Sequence, residues 1–580
     1  MISLQELVYN VEEGFLRGLL TKVALGLLTI GLVAWIGISE FNGLKTPEAM
    51  DLAQQARQIA TGQGLTTLLI RPLALWQVRA QFGNDAPEVS RFPETLSPPL
   101  YPLILAGAFR LGEVSGVARM SVSADAIKGM RVYPPDYIVL GLNLICVVLT
   151  ILAVYLWAAG QFDAGSGILA AVFCLGSTAL WNQAAAGGSA CSLIMLYAWS
   201  GYFFYRGLAQ EDQSEEVPVG GGLWFGLAGF TIGLTPLIQM IHIWPALAVV
   251  SCGLALFQRG RVGLILGFAI PTLLFLGWLG WLWSVTRNPV GLNWAYLIAD
   301  SAHYPGGLVW RTFSFDMEKT DVWRRIFGSV IRGTAYIIAQ GPLLCGATVA
   351  GVLSLFSAMH SFRRPSAATG KLLWLAGVGV LLLATAFIVR DGADTGTPIL
   401  LVLLPLASVY GAAGLFVLVE RWNLQVDLLG KIFVVLVALL ASGPVLNLVA
   451  QPNNAPFAYP PTYPPIFLFM RSWFEPKEFQ ASDLPAAEAW YSNQPTLWVP
   501  STRDDLIKIH DRVTPIFSIL FTPASSDVKL YSQMMQENSE WSAWADVIRR
   551  QKPPDLPQSF VTSLPPNNDY LLLSLQKRWN

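Results

Sequence analysis

Apolar stretches of nearly constant length recur through this chain, and that length decides what it can fold into. They run over about residues 20–39, 137–158, 164–182, 187–206, 221–238, 241–257, 262–285, 332–358, 371–389, 397–419 and 431–450. Each is near the ~20 residues that a helix needs to cross the hydrocarbon core of a bilayer. Lipid offers the backbone no hydrogen-bond partner, so such stretches become helices. Composition agrees: 13% of the residues are charged, against about 25% in soluble domains. The expected fold is an α-helical polytopic membrane protein with about 11 transmembrane helices.

A net charge of -1 gives no electrostatic ground for a nucleic-acid partner. The cysteines Cys146, Cys174, Cys191, Cys252 and Cys345 all sit inside apolar runs. That placement predicts small buried hydrophobes, not disulfides or a thiolate metal site. Acidic residues precede the first apolar run and no small-residue cleavage site follows it. Residues 1–19 therefore read as an amphipathic segment leading into an uncleaved span.

The segment 99–113 is apolar but only roughly 22 Å long as a helix, and it contains Arg110. Excluding it as a span places Arg206, Arg259, Arg261, Arg363, Arg364, Lys371, Arg421 and Lys431 on one side of the membrane, with Arg17 and Lys22. The positive-inside rule makes that side cytoplasmic. Loops 40–136 and 286–331 and the tail 451–580 then lie outside, and 99–113 becomes a helix in the outer interface. Loop 286–331 is nonetheless basic, with Arg287, Arg311, Lys319, Arg324 and Arg325. This divides the chain into the N-terminal segment, a membrane domain 20–450 with extracytoplasmic loop 40–136, and an extracytoplasmic domain 451–580.

The tail leaves the membrane through QPNNAPFAYPPTYPP. Beyond it, ASDLPAAEAWYS reads as helix, TLWVP as strand, STRDDLIKIHDRV as a helix capped by Ser501, and PIFSILFTP and YLLLSLQ as strands. Alternation of this kind predicts a small α/β domain. The first loop opens differently, with Glu48 and Asp51 on an amphipathic helix just outside the first span. Carboxylates three apart share a helix face. Thr46-Pro47 before them also gives Glu48 a plain role, stabilising a helix N-terminus.

The order of these pieces resembles the GT-C glycosyltransferases, particularly the bacterial branch related to protein mannosyltransferases and the aminoarabinose transferase. Glu48 and Asp51, Ala56-Arg57, Gly62-Gln63-Gly64 and Pro98-Pro99-Leu100-Tyr101-Pro102 correspond to that family's loop, and Thr397 to Pro405 to its late segment. The resemblance implies transfer of a sugar from a polyprenyl-phosphate donor to a saccharide, lipid or protein acceptor, in a bacterial inner or plasma membrane. It aligns Glu48 with the family's acidic position and leaves Asp51 where an aromatic residue is common.

Such a reaction needs a base for the acceptor's proton and cations for the departing phosphate. Glu48 and Asp51 are the candidate bases. Arg57, Arg71, Arg311, Arg324, Arg325 and Arg390 are the candidates for phosphate, whose oxygens suit bidentate guanidinium. Arg71 lies between apolar residues and calls for an anion. Asp300, His303 and Asp316 are weaker candidates to hold a divalent metal ion with Glu48, as some family members use one. Thr235-Pro236 and Gly396-Thr397 stand where the family often carries arginine. Two further readings follow: a GT-C-shaped binding or assembly component without activity, and a transporter, which the scarcity of charge within the spans disfavours.

Overall fold

The computed structural model describes residues 15–116, 132–213, 219–257, 259–299, 304–315, 322–388, 396–422, 428–451, 457–459, 461–526, 540–549 and 556–579. Helix α1 (Phe15–Trp35) runs into a π-helical turn, Ile36–Glu40, from which the chain enters the first loop. Thr46 caps α2 (Pro47–Ala60), its hydroxyl accepting from the Ala49 amide at 3.2 Å. Proline at the first helical position completes the start signal. Gly62 and Gly64, with φ of +83° and +77°, turn the chain back beyond α2. There follow β1 (Thr66–Thr67), β2 (Leu69–Ile70), α3 (Pro72–Phe82), β3 (Phe92–Pro93) and α4 (Leu100–Val114).

Helix α4 is the expected short segment, and it packs against α2. Tyr101, Leu105 and Phe109 are buried, whereas Leu103, Ile104, Leu111 and Val114 are exposed. At ~1.5 Å per residue it cannot cross the ~30 Å core, and its bare apolar side suits a helix lying in an interface.

The membrane domain continues with α5 (Pro134–Gln161), α6 (Ala164–Leu175), α7 (Thr178–Ala186), α8 (Ala190–Gln213), α9 (Val219–Leu234), α10 (Ile243–Leu256) and α11 (Arg261–Thr286). Then come α12 (Val322–Leu344), α13 (Thr348–Met359), α14 (Pro365–Ile388), α15 (Leu404–Arg421) and α16 (Leu428–Ala450). Among the described residues six helices are long and apolar enough to span a membrane, or seven if the pair α6 and α7, bent by 53°, is one span. Gly222–Leu237, Met240–Leu256 and Thr348–Met359 are shorter apolar helices. The expected span 332–358 is two helices, broken around Gly346 at φ +66°, where a Cβ would meet Leu401, Ala179 and Ser177 within 3 Å. Helices α9 and α11 pack backbone to backbone: a Cβ on Gly267 would lie 1.9 Å from the Gly226 carbonyl oxygen. Small residues at a crossing permit that approach.

Beyond α17 (Pro464–Trp473), the tail forms β4 (Phe479–Ser482), β5 (Thr496–Trp498), α18 (Arg503–Arg512), β6 (Ile516–Phe521), β7 (Phe560–Leu564) and β8 (Tyr570–Ser574). The sheet order is β2-β5-β4-β6-β8-β7, parallel from β2 to β6 and antiparallel thereafter. The α/β character matches expectation, but its edge strand β2 comes from the first loop. The run read as one helix, ASDLPAAEAWYS, begins as the end of β4 and then forms Pro485–Ala487 and a π-turn, Glu488–Ser492. Thr502, not Ser501, caps α18, accepting from the Asp505 amide.

Candidate active site

Helix α2 carries both candidate carboxylates, and the structure gives them different surroundings. Glu48 Oε1 accepts from Ser189 Oγ at 3.0 Å, and Ser189 in turn accepts from Gln239 Nε2 at 3.3 Å. Ser189 lies in the break between α7 and α8, and Gln239 between α9 and α10. Two connections between successive helices therefore bring polar groups to one carboxylate. Tyr101 and Asn143 steady the first break, reaching the Gly187 and Gly188 carbonyls at 3.2 Å each. Glu48 keeps accessible surface, so solvent reaches it, yet protein surrounds it on the other sides. Burial raises its carboxyl above the ordinary range, Ser189 and Gln239 lower it, and Asp51's charge raises it further.

Asp51 is buried and fully engaged. Arg71 Nη2 lies 2.6 Å from its Oδ2, while Gln54 and Gln55 each donate to its Oδ1 at 2.9 Å. Arg71 caps the start of α3, directly after β2, so the sheet edge itself delivers the guanidinium. A third acid, Glu94, stands 4.0 Å from Arg71. It accepts from the Leu96 and Ser97 amides at 2.7 and 3.0 Å and from Gln55 at 2.8 Å. Burial and Asp51's charge raise its carboxyl to about 7, against Arg71's opposing pull. Tyr296, from loop 286–331, stands near the group with part of its side chain exposed; partial desolvation, opposed by Arg71's charge, raises its phenol to about 12.

Beside these groups a crevice is lined by Gln55, Glu94, Ser97, Trp278 and Trp281. It shares Thr66 and Trp281 with an open groove of about 370 Å³ that reaches Arg91. The expected cations are dispersed. Arg57 donates from Nη1 and Nη2 to the Trp490 and Ala489 carbonyls, both at 2.7 Å. Arg311 donates to the Val499 and Pro500 carbonyls and to Glu540, with Trp541 stacked at 3.5 Å. Burial lowers both guanidinium groups to about 10, so they stay charged at neutral pH. Arg324 and Arg325 lie on α12, of which only the backbone is described there, and Arg390, Asp300, His303 and Asp316 lie outside the described residues. Among the described residues no three His, Cys, Asp or Glu side chains form a group that could hold a metal ion. Asp51's partners, Arg71, Gln54 and Gln55, leave it poorly suited to a second cation.

Glu94, Ser189, Gln239 and Tyr296 went unmarked in the sequence. So did Lys45, three residues before Glu48, whose ammonium burial lowers and Glu40 raises. Only Glu94 had a local signal, an acid three residues before Ser97-Pro98-Pro99.

No protein-family model matches the sequence, and no curated protein sequence matches it. Solved structures do. The archaeal oligosaccharyltransferase AglB from Archaeoglobus fulgidus, in complex with an inhibitory peptide and a dolichol-phosphate, is 12% identical with a TM-score of 0.56, over 91% of this chain and 72% of that one. ArnT from Cupriavidus metallidurans in the apo state is 13% identical with a TM-score of 0.58, over 96% and 98%. ArnT bound to undecaprenyl phosphate is 13% identical with a TM-score of 0.51, over 95% and 98%. The chain has the GT-C fold of these multi-pass membrane proteins.

Proposed function

We propose that this protein is a membrane glycosyltransferase that takes a sugar from a polyprenyl-phosphate carrier, with Glu48 as the base. The observation that carries the reading is the contrast within α2: Asp51 is paired with Arg71 and two glutamines, whereas Glu48 is accessible and has the neutral partners Ser189 and Gln239. A carboxylate with a raised pKa is the better proton acceptor at neutral pH. In the reaction the acceptor's hydroxyl loses its proton to Glu48 as its oxygen bonds to the sugar's anomeric carbon. The anomeric carbon–oxygen bond to phosphate breaks, and polyprenyl phosphate leaves with the electron pair. Lys45 is the nearest cation in sequence to Glu48 and our choice for the leaving phosphate; Arg71 sets Asp51 and Glu94 in place. Loop 40–136 and the tail then face the outside, and the acceptor is an extracytoplasmic saccharide, lipid or protein.

Solved relatives in fold carry dolichol-phosphate and undecaprenyl phosphate, which supports a lipid-linked donor here. The test is transfer in proteoliposomes supplied with polyprenyl-phosphate sugars extracted from membranes, with labelled sugar followed into products. Wild type transferring and Glu48→Gln not doing so supports the reading; equal transfer by both sinks it. The internal hydrogen bonds and ion pairs of Arg57, Arg71 and Arg311 favour one other reading, a GT-C-shaped binding or assembly component. That reading predicts no transfer by wild type and retained assembly by Glu48→Gln.

A further inference from the structure

The π-turn Glu488–Ser492 of the C-terminal domain is linked to both ends of α2, directly at its last turn and through Asp136 and Leu44 ahead of its first. At the far end, Arg57 in the last turn of α2 donates to the carbonyls of Ala489 and Trp490, and its guanidinium lies 4.7 Å from the Trp490 ring. Carbonyls at the end of a helical turn lack partners within it, and Asn493 in the left-handed region ends this one. At the near end the contact runs through Asp136, in the first turn of α5 and fully buried. Its Oδ1 accepts from Trp490 Nε1 at 2.8 Å. Its Oδ2 accepts from the Tyr491 hydroxyl at 3.1 Å and from the Leu44 amide at 3.4 Å. Leu44 lies two residues before the Thr46 cap of α2. Trp490 also stacks on Phe109 of α4, at 5.8 Å and 16°.

We propose that this π-turn is a clamp that sets α2, and with it Glu48, against Ser189 and Gln239, so that Arg57, Asp136, Trp490 and Tyr491 are positioning residues. The helix that carries Glu48 and Asp51 is thereby held by a segment more than four hundred residues later. Charge-assisted hydrogen bonds from a buried guanidinium and to a buried carboxylate are strong and directional. Held at both ends, α2 cannot rotate its first turn away from the helix breaks.

The consequence for catalysis rests on the transferase reading, but the clamp itself is testable without it. Hydrogen–deuterium exchange is measured on the full chain in nanodiscs for wild type, Asp136→Asn, Trp490→Phe and Arg57→Lys, each of which weakens or removes hydrogen bonds of the clamp. The clamp predicts exchange about five- to tenfold faster at amides 44–52 in all three, with amides of β4, β5 and β6 unchanged. Unchanged exchange at 44–52 overturns it, as does equal acceleration in the sheet, which marks general destabilisation. Binding of decaprenyl phosphate separates the roles of Arg57: the clamp predicts the same affinity for Arg57→Lys and Asp136→Asn, and a loss confined to Arg57→Lys overturns it. Where wild type transfers sugar, the variants lower kcat with KM held; where it does not, the exchange measurement still decides.

Discussion

Glu48 and Asp51 sit one turn apart on a single helix, yet the protein treats them as different chemical groups. Asp51 faces the first loop, where Arg71, Gln54 and Gln55 hold it inside a closed network. Glu48 faces the membrane helices, where it has accessible surface and a hydroxyl relay to Gln239. The difference lies in partners and access: Asp51 is buried with a cation and two amides, whereas Glu48 is accessible and hydrogen-bonded to a neutral hydroxyl.

The sharpest way to break this contrast is kinetic. Glu48→Gln is expected to lower kcat about 10²- to 10⁴-fold, the range of a lost general base, whereas Asp51→Asn lowers it far less. Wild-type transfer should also rise with pH through a midpoint above the ordinary carboxylate range, because the base must be ionised. Next comes stability: Arg71→Met leaves Asp51 and Glu94 buried without their cation and is expected to cost about 3–5 kcal/mol. Thermal unfolding in detergent measures it, and a loss below 1 kcal/mol would make the network incidental.

Glu94 sharpens the comparison through pH. Its folded carboxyl is raised to about 7 from 4.5, so the folded state holds a proton that the unfolded state releases. Its stabilising contribution is full below the unfolded value and is lost as pH rises toward 7, by at most ~1.4 kcal/mol per pH unit. Glu94→Gln should flatten the unfolding midpoint across that window. The smallest effect belongs to Glu488, whose carboxyl burial and then Asp483's charge push well above the ordinary range. Replacing a neutral buried acid by its amide should shift stability at pH 4 by about 1 kcal/mol or less. The variant gains on wild type as pH rises above the unfolded carboxyl value, because only the unfolded wild-type chain then releases its proton.

Membrane helices were legible because bilayer thickness writes itself into run length, and α4 because its run is too short. Strands β5, β6 and β8 and helix α18 were legible from local apolar patterning. Glu48 stood out from its place after Thr46-Pro47 and from the family resemblance. Its partners did not: Ser189 and Gln239 are ordinary polar residues until two inter-helix connections meet beside Glu48. The break at Gly346 was hidden within an unbroken apolar run. Arg71 called for an anion, and the anion proved to be Asp51, twenty residues away on the neighbouring element. Strand β2 has two residues, too few to carry a pattern, and its pairing with β5 joins positions 69 and 496.

That pairing sets a schedule for biogenesis. Strand β2 leaves the ribosome early, but the strand it lies beside is made some four hundred residues later. At ~5–20 residues per second the delay is about 20–80 s. Throughout it, Asp51 and Arg71 can meet while the sheet edge beside them has no neighbour and the clamp on α2 is still unmade. The loop that carries Glu48 therefore reaches its final shape only after residues 428–450 have been made, and a chain stopped at residue 450 would insert its helices yet leave that loop unfinished.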